Sequence, residues 1–240
     1  MILRCSASGM TDRDPFGAVI GCSLGKEKNM TENIEVFTQN SIRIRTSAGV
    51  IYVDPFRMEE EPHDADFVFI THDHYDHYSP EDIHKVCRQE TVLFVPEKMK
   101  KQVQELAGSV AEIRIVTPGM RFEEGNLTVE TIPAYNKMKP FHPKGAGWVG
   151  YLFETDGEKI YVAGDTDATK EASEVVCDVA LVPVGGTFTM NAKDAAELIN
   201  TIRPKTAIPV HYGSVVGNLE DGEIFRQNVK PPVEVELRIS

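Results

Sequence analysis

Short bursts of apolar residues at a spacing of two open the readable part of this chain. In "IEVFT" (34–38) and "SIRIRT" (41–46) the alternation predicts half-buried strands. "GVIYVD" (49–54) follows across Ser47-Ala48-Gly49 as the second arm of a hairpin. "DFVFITH" (66–72) is instead a continuous apolar run, the pattern of a buried strand. The period then changes. In "SPEDIHKVCRQ" Ser79 reads as an N-cap, Pro80 takes the first helical position, and Asp82 falls three after the cap. Ile83, Val86 and Cys87 recur there at helical spacing. Strand "TVLFVP", helix "EKMKKQVQELAG" and strand "EIRIVT" continue the chain. Two hairpins follow, "MRFEEGNLTVETIP" turning at Gly125-Asn126 and "WVGYLFETDGEKIYVAGDT" turning at Asp156-Gly157. The remainder alternates again: strand "DVALVPV", helix "AKDAAELINTI", strand "TAIPVH", a short helix near "LEDGEIFRQ" and a closing strand "VEVELR".

An antiparallel-rich first half and a helix-interleaved second half predict a mixed α/β fold. Two mixed sheets packed face to face, with helices outside, bury every apolar stripe. Residues 30–240 are expected to form one domain beginning near Met30. Residues 1–29 show no sustained periodicity and are expected to be a loose N-terminal extension.

Composition narrows the function classes. The formal net charge of −12 over 240 residues leaves no broad basic face for nucleic acid or an anionic membrane. A small-molecule substrate is therefore expected as the partner, with no nucleic acid. Cys5, Cys22, Cys87 and Cys177 are far apart and form no C-x-x-C pair. That spacing argues against a disulfide framework or a thiolate zinc site, so a reducing cytoplasm is the expected location. No apolar run approaches the ~18 residues of a membrane span.

The chemistry concentrates where the buried strand gives way to the helix. Three of the seven histidines lie within "THDHYDHYS" (71–79), as His72, His74 and His77, with Asp76 among them. On a strand-to-helix turn, residues two apart point the same way while the helix start re-aims the next pair. His72 and His74 can then serve one cation, and Asp76 with His77 a second one close by. Imidazole and carboxylate suit zinc, manganese or iron(II). Four residues cannot close two sites, and further donors stand at later strand ends: Asp165 in "YVAGDTD", placed to bridge two cations, and His211 in "AIPVHYGS".

The stretches "IYVDPF", "FITHDHYDHYSPEDI", "IPAYN", "YVAGDTD" and "IPVHYGS", in that order, resemble the metallo-β-lactamase superfamily. The similarity is greatest to the metal-dependent hydrolases near ascorbate-6-phosphate lactonase and N-acylphosphatidylethanolamine phospholipase D. The resemblance implies a four-layer αββα sandwich with a two-metal site along the sheet edges, and zinc, or else manganese or iron, as cofactor. It assigns His72 and His74 to the first metal and Asp76, His77 and His211 to the second. Asp165 becomes the bridge, and Asp54 an acidic residue behind the metals that orients ligands. Relatives often form homo-oligomers, so self-association is a further expectation. One position departs from the pattern: where the family carries a third histidine for the first metal, this chain has Asn136. Asn136 could be a weak ligand, His142 could reach back to complete the site, or the site could be under-populated. His142 is the preferred reading, because imidazole binds transition metals far better than a neutral amide.

The expected reaction is hydrolysis of an ester, lactone or phosphodiester in a small anionic substrate by water activated between two cations. Asp76 and Asp165 would hold the pair. Tyr75, Tyr135, His142 or a water would protonate the leaving group. The loop "NKMKPFHPKGAGW", with Lys137, Lys139 and Lys144 beside Met138, Phe141 and Trp148, reads as a lid over an anion, although a solvated basic loop has the same composition. "VGGTFTM" (184–190) offers amides for an anion or oxyanion. Two rival readings are a mononuclear iron dioxygenase acting on persulfides and a non-catalytic metal-binding protein.

Overall fold

In the computed structural model, which describes residues 30–239, the strands sort into two sheets that face each other across one apolar interior. The first sheet keeps chain order: β1 (Ile34–Val36), β2 (Ile42–Thr46), β3 (Gly49–Val53), β4 (Ala65–Phe69), β5 (Cys87–Pro96) and β6 (Glu112–Val116). Its first three strands are antiparallel, and β3 through β6 run parallel. The second sheet holds β7 (Arg121–Glu124), β8 (Leu127–Pro133), β9 (Val149–Thr155), β10 (Glu158–Val162), β11 (Val179–Pro183), β12 (Thr206–Val210) and β13 (Glu234–Val235). There β7 to β10 are antiparallel and β10 to β13 parallel.

The interior is built on aromatics. Phe69 stacks on Phe94 at 4.4 Å and meets Tyr151 and Phe153 of the opposite sheet edge-on at 5.0 and 4.9 Å. The Tyr151 hydroxyl donates to the Ile70 carbonyl at 2.7 Å, and the Val149 amide donates to the Thr71 carbonyl at 3.2 Å. Those two bonds tie the sheets together where β4 ends. The C-terminal ends of β3 and β4 therefore meet the C-terminal ends of β8, β10 and β12 along one edge.

Each outer face is covered in turn. On the first sheet, Val68, Ile70, Leu93 and Val95 receive Ile83 and Val86 of α1 (Pro80–Val86), together with Met99, Val103 and Leu106. On the second, α2 (Lys170–Ser173), α3 (Ala192–Ile202) and α4 (Glu220–Asn228) cover Tyr161, Val182 and Ala207. The layers read helix, sheet, sheet, helix, as the resemblance implied. Ser79 caps α1 and Asn191 caps α3 through their side chains.

Three elements differ from the sequence pattern. The helix over 97–108 is instead two 3₁₀ turns, Glu97–Met99 and Gln102–Leu106, neither of which has a capping side chain. The helix from Pro80 stops at Val86 because Cys87 already pairs in β5. The closing strand shortens to two residues at a sheet edge. The proposed extension over 1–29 lies outside the described residues. Among the described residues, no helix is long and apolar enough to cross a membrane.

Candidate metal centre

The shared edge gathers seven donor side chains. His72 and His74 leave β4, Asp76 and His77 sit in the turn before α1, Asp165 follows β10, and His211 follows β12. The turn is closed by His77 and Tyr78 amides donating to the His74 carbonyl at 3.0 and 2.8 Å. This reverses the chain so that both pairs face one point. His142 arrives from the loop after β8. Its donor atom lies with those of His72 and His74, all within 4.8 Å of one another. Two further groups at the same spacing are His72, His77 and Asp165, and Asp76, His77 and His211.

Asp165 stands between the two sides. Its Oδ1 lies 3.3 Å from Nε2 of both His77 and His211, while its Oδ2 lies 3.3 Å from His142 Nε2 and 4.0 Å from His72 Nε2. Asp76 Oδ2 completes the second side, 3.3 Å from His211 Nε2 and 3.8 Å from His77 Nε2. His142 Nε2 and Asp165 Oδ1 are buried and lack a hydrogen-bond partner. Buried polar atoms left in that state are expensive unless something else satisfies them. An all-nitrogen-and-oxygen donor set with such orphans fits divalent zinc, manganese or iron.

Behind the donors a second layer fixes which nitrogen faces inward. Asp54 accepts from His77 Nδ1 at 2.7 Å, from the Thr71 hydroxyl at 2.6 Å, from the Thr71 amide at 2.8 Å and from Asn40 at 2.8 Å. With its proton committed to Asp54, the Thr71 hydroxyl accepts from His72 Nδ1 at 2.9 Å. Both imidazoles are thereby held with the Nε2 lone pair turned inward. Asn136 does the same for His142, with its Oδ1 3.1 Å from the ring Nδ1. Its own amide group donates to Asp167 and to the Phe188 carbonyl. Asn136 is thus buried beside His142, and its oxygen faces the His142 ring.

Charge follows the same logic. Burial holds the His72 imidazole well below its ordinary pKa, and the neighbouring His77 lowers it further. Burial opposes ionisation of Asp165, yet His211 and His77 keep its carboxyl well below the usual range. Asp76, against burial, is drawn down to about 2 by its hydrogen bond with His211 and the charge of His77. Burial lowers His77, but the carboxylates of Asp165 and Asp54 carry it well above its ordinary value. Ionised carboxylates around imidazoles attract a cation.

A cavity of about 480 Å³ opens over this cluster. His74, Asp76, Asp165 and His211 form its floor, and Tyr75, Phe141, Phe188 and Val215 form its walls.

Other expectations need correction. Tyr135 is not brought to the cluster: its hydroxyl donates to Glu171 at 2.8 Å and accepts from Lys144 at 3.3 Å. Both residues lie past the end of β8, and Asn136, the next residue, takes the inward side. His142 points its Nε2 at Asp165 Oδ2, 3.3 Å away, on the side of His72 and His74. Two of the lid's three lysines are already engaged. Lys139 donates to the carbonyls of Gly186 and Thr189, and Lys144 pairs with Glu171 at 2.7 Å. In the glycine loop, the Gly186, Thr187 and Met190 amides donate to the carbonyls of Met190, Gly185 and Thr166.

Gln39 is the contributor that sequence reading passed over. Its amide donates to Asp76 Oδ2 at 3.2 Å, its carbonyl accepts from the His211 amide at 2.8 Å, and its side-chain oxygen accepts from the Val215 amide at 3.2 Å. The one signal was "QNS" (39–41), three uncharged polar residues set between apolar strands, all buried.

A β-lactamase superfamily domain model matches residues 33–211. The chain belongs to the metallo-β-lactamase superfamily. It is 29% identical over 202 residues to a UPF0173 metal-dependent hydrolase of Thermococcus onnurineus, covering 77% of this chain and 87% of the relative. A solved structure described as a candidate metal-dependent hydrolase, from Parabacteroides distasonis, superposes with a TM-score of 0.73 at 25% identity, covering 86% and 93% of the two chains. A metallo-hydrolase of Ignicoccus hospitalis has the same fold, with a TM-score of 0.69 at 22% identity over 85% and 93% of the chains.

Proposed function

We propose that this superfamily member is a hydrolase working with two divalent cations on an ester, lactone or phosphodiester bond. The observation that carries the reading is Asp165, whose two oxygens face two separate groups of nitrogen donors. Relatives described as metal-dependent hydrolases over most of both chains support the reaction class.

On this reading His72, His74 and His142 hold one cation, Asp76, His77 and His211 the other, and Asp165 both. When bound, such a pair supplies a water of lowered pKa and a Lewis acid for the scissile group. Everything else falls to the chain. Asp54 and Asn136 keep the imidazole protons on Nδ1, so that Nε2 stays a donor atom. The ionised pair Asp76 and Asp165 would offset part of the positive charge of two divalent cations. Gln39 keeps Asp76 and the backbone of His211 in register. Tyr75, on the cavity wall, is the residue with a proton for the leaving group.

The test is elemental analysis of the purified chain beside a panel of lactone, carboxylic ester and phosphodiester substrates. Two zinc or manganese ions per chain, with turnover lost to a chelator and restored by metal, is the expected result. A single iron per chain with oxygen uptake on persulfides would replace this reading with the dioxygenase.

A further inference from the structure

The floor of the cavity carries the charge and its walls carry almost none. Phe141 and Phe188 meet edge to face at 4.7 Å and 87° and stand beside Val215, with Tyr75 on the same rim. Phe141 is 42% exposed and Tyr75 65% exposed, so two large rings are held in water around one opening. Rings in that position favour an apolar occupant. Among the described residues no lysine or arginine lines the cavity, and Lys139 and Lys144 are paired with Asp167 and Glu171. A charged group pressed against the rings without a counter-ion would lose its hydration for nothing. A cationic group, which aromatic faces attract, would be repelled by the two divalent ions below.

We infer that the substrate carries an uncharged apolar group, aryl or short acyl, that seats against Phe141 and Phe188 while its scissile bond faces Asp165 and His74. The inference rests on the two-cation reading of the floor and adds what lies above it. It also replaces the expectation of a small anionic substrate. Any anionic character belongs at the scissile centre, where the cations are, and not on the distal part of the molecule.

Three hydroxamates separate the two levels: acetohydroxamate, phenylacetohydroxamate and succinate monohydroxamate. Each is titrated calorimetrically into the zinc-loaded full chain, with zinc content checked by elemental analysis. The phenyl compound is expected to bind about tenfold to a hundredfold more tightly than the methyl compound, and the carboxylate compound no more tightly than the methyl one. Phe188→Ala, which lies away from the donor residues in sequence, reduces that advantage to less than about threefold, and Phe141→Ala does the same. Circular dichroism and zinc content confirm that both variants are folded and loaded. Equal affinity for phenyl and methyl, or tightest binding of the carboxylate, in a zinc-loaded chain overturns the inference while leaving the hydrolase reading intact. A chain that takes up no zinc and binds none of the three overturns both.

Discussion

Asn136 Oδ1 lies 3.1 Å from the backbone nitrogen of His142 and 3.1 Å from its ring Nδ1, so one side chain fixes both the position and the tautomer of an imidazole six residues away. The Asn136 backbone N–H also donates to the His142 carbonyl at 2.7 Å, which closes the intervening loop on itself. On the two-cation reading, Asn136 and His142 together take the place of the histidine that the superfamily carries here. The amide, three residues past the end of β8, orients, while the loop brings the ring.

His142→Ala should therefore cost one of the two metal ions per chain and reduce hydrolysis by at least about a hundredfold. Asn136→Ala should weaken metal affinity by about tenfold to a hundredfold, the usual effect of removing a group that orients a ligand. Asn136→Asp keeps an acceptor facing Nδ1 but sets a carboxylate oxygen against Asp167 and the Phe188 carbonyl, so it should recover only part of that loss. Metal titration with a competing chelator reads all three variants. Full metal content in His142→Ala would remove this residue from the site.

Asp54 collects four hydrogen bonds from buried donors at a backbone φ of 45°, a left-handed conformation that Asp and Asn tolerate best. Asp54→Asn keeps the backbone and the shape but turns one acceptor into a donor facing donors. We expect a folded protein, less stable to urea by about 1–3 kcal/mol, with metal affinity reduced about tenfold or more. Asp54→Ala should be worse on stability, because every partner is then left unpaired. Unchanged metal affinity in the folded Asn variant would show that Asp54 supports the fold alone.

How much of this could be read in advance divides along a physical line. "THDHYDHYS" was legible because the donors are contiguous and their spacing matches a turn. Asp165 and His211 were legible because each ends an apolar strand, and strands of such sheets end along a common edge. Tyr135 misled, because a sequence marks where a strand stops but not which of two neighbouring residues faces inward; in this chain Asn136 does. Gln39 was barely legible, its one signal being the polar run "QNS". Its partners lie 37 residues away at Asp76 and much further along at His211 and Val215, and that run does not say which side chains an amide in a turn will meet. The lysine-rich loop misled for a related reason. Composition gives the charges, but only the folded arrangement shows that carbonyls and Glu171 already hold two of them.

The interior predicts a large cost for one substitution. Phe69 contacts Phe94, Tyr151 and Phe153 with no exposed surface, so Phe69→Ala removes a ring from the junction of both sheets. A loss of about 3–5 kcal/mol is expected in chemical denaturation, and Phe69→Leu should lose markedly less. A loss of under about 1 kcal/mol for the alanine variant would mean that the aromatic cluster is not the keystone of the interface.

Acid should loosen the segment just past Asp54. Buried Asp82 accepts from the Arg57 and Met58 amides at 2.8 and 2.9 Å and from the Ser79 hydroxyl at 2.7 Å. Burial raises its pKa, but those bonds and Lys85 bring it below the ordinary carboxylate value. A carboxyl depressed in the folded state contributes stability that is present above its unfolded pKa of about 3.9 and is lost as pH falls through the folded value. Urea midpoints should thus decline below about pH 4 in the wild type and decline less in Asp82→Asn. Parallel acid profiles for the two proteins would assign the decline to other carboxylates.

Tyr135→Phe separates the two roles once open to that residue. A proton donor in the reaction would contribute about a hundredfold to ten-thousandfold, and its loss would appear in kcat. The hydroxyl instead donates to Glu171, whose carboxyl is held at about 2 chiefly by Lys144, and Lys144 stacks on the Tyr135 ring at 4.6 Å. Removing the hydroxyl should therefore leave kcat within about twofold, while Tyr75→Phe, on the cavity wall, lowers it by at least about tenfold. Comparing the two variants on one substrate decides which tyrosine serves the leaving group. A collapse of kcat in Tyr135→Phe with the fold intact would mean that the loop around Lys144 rearranges when substrate binds and carries the phenol inward.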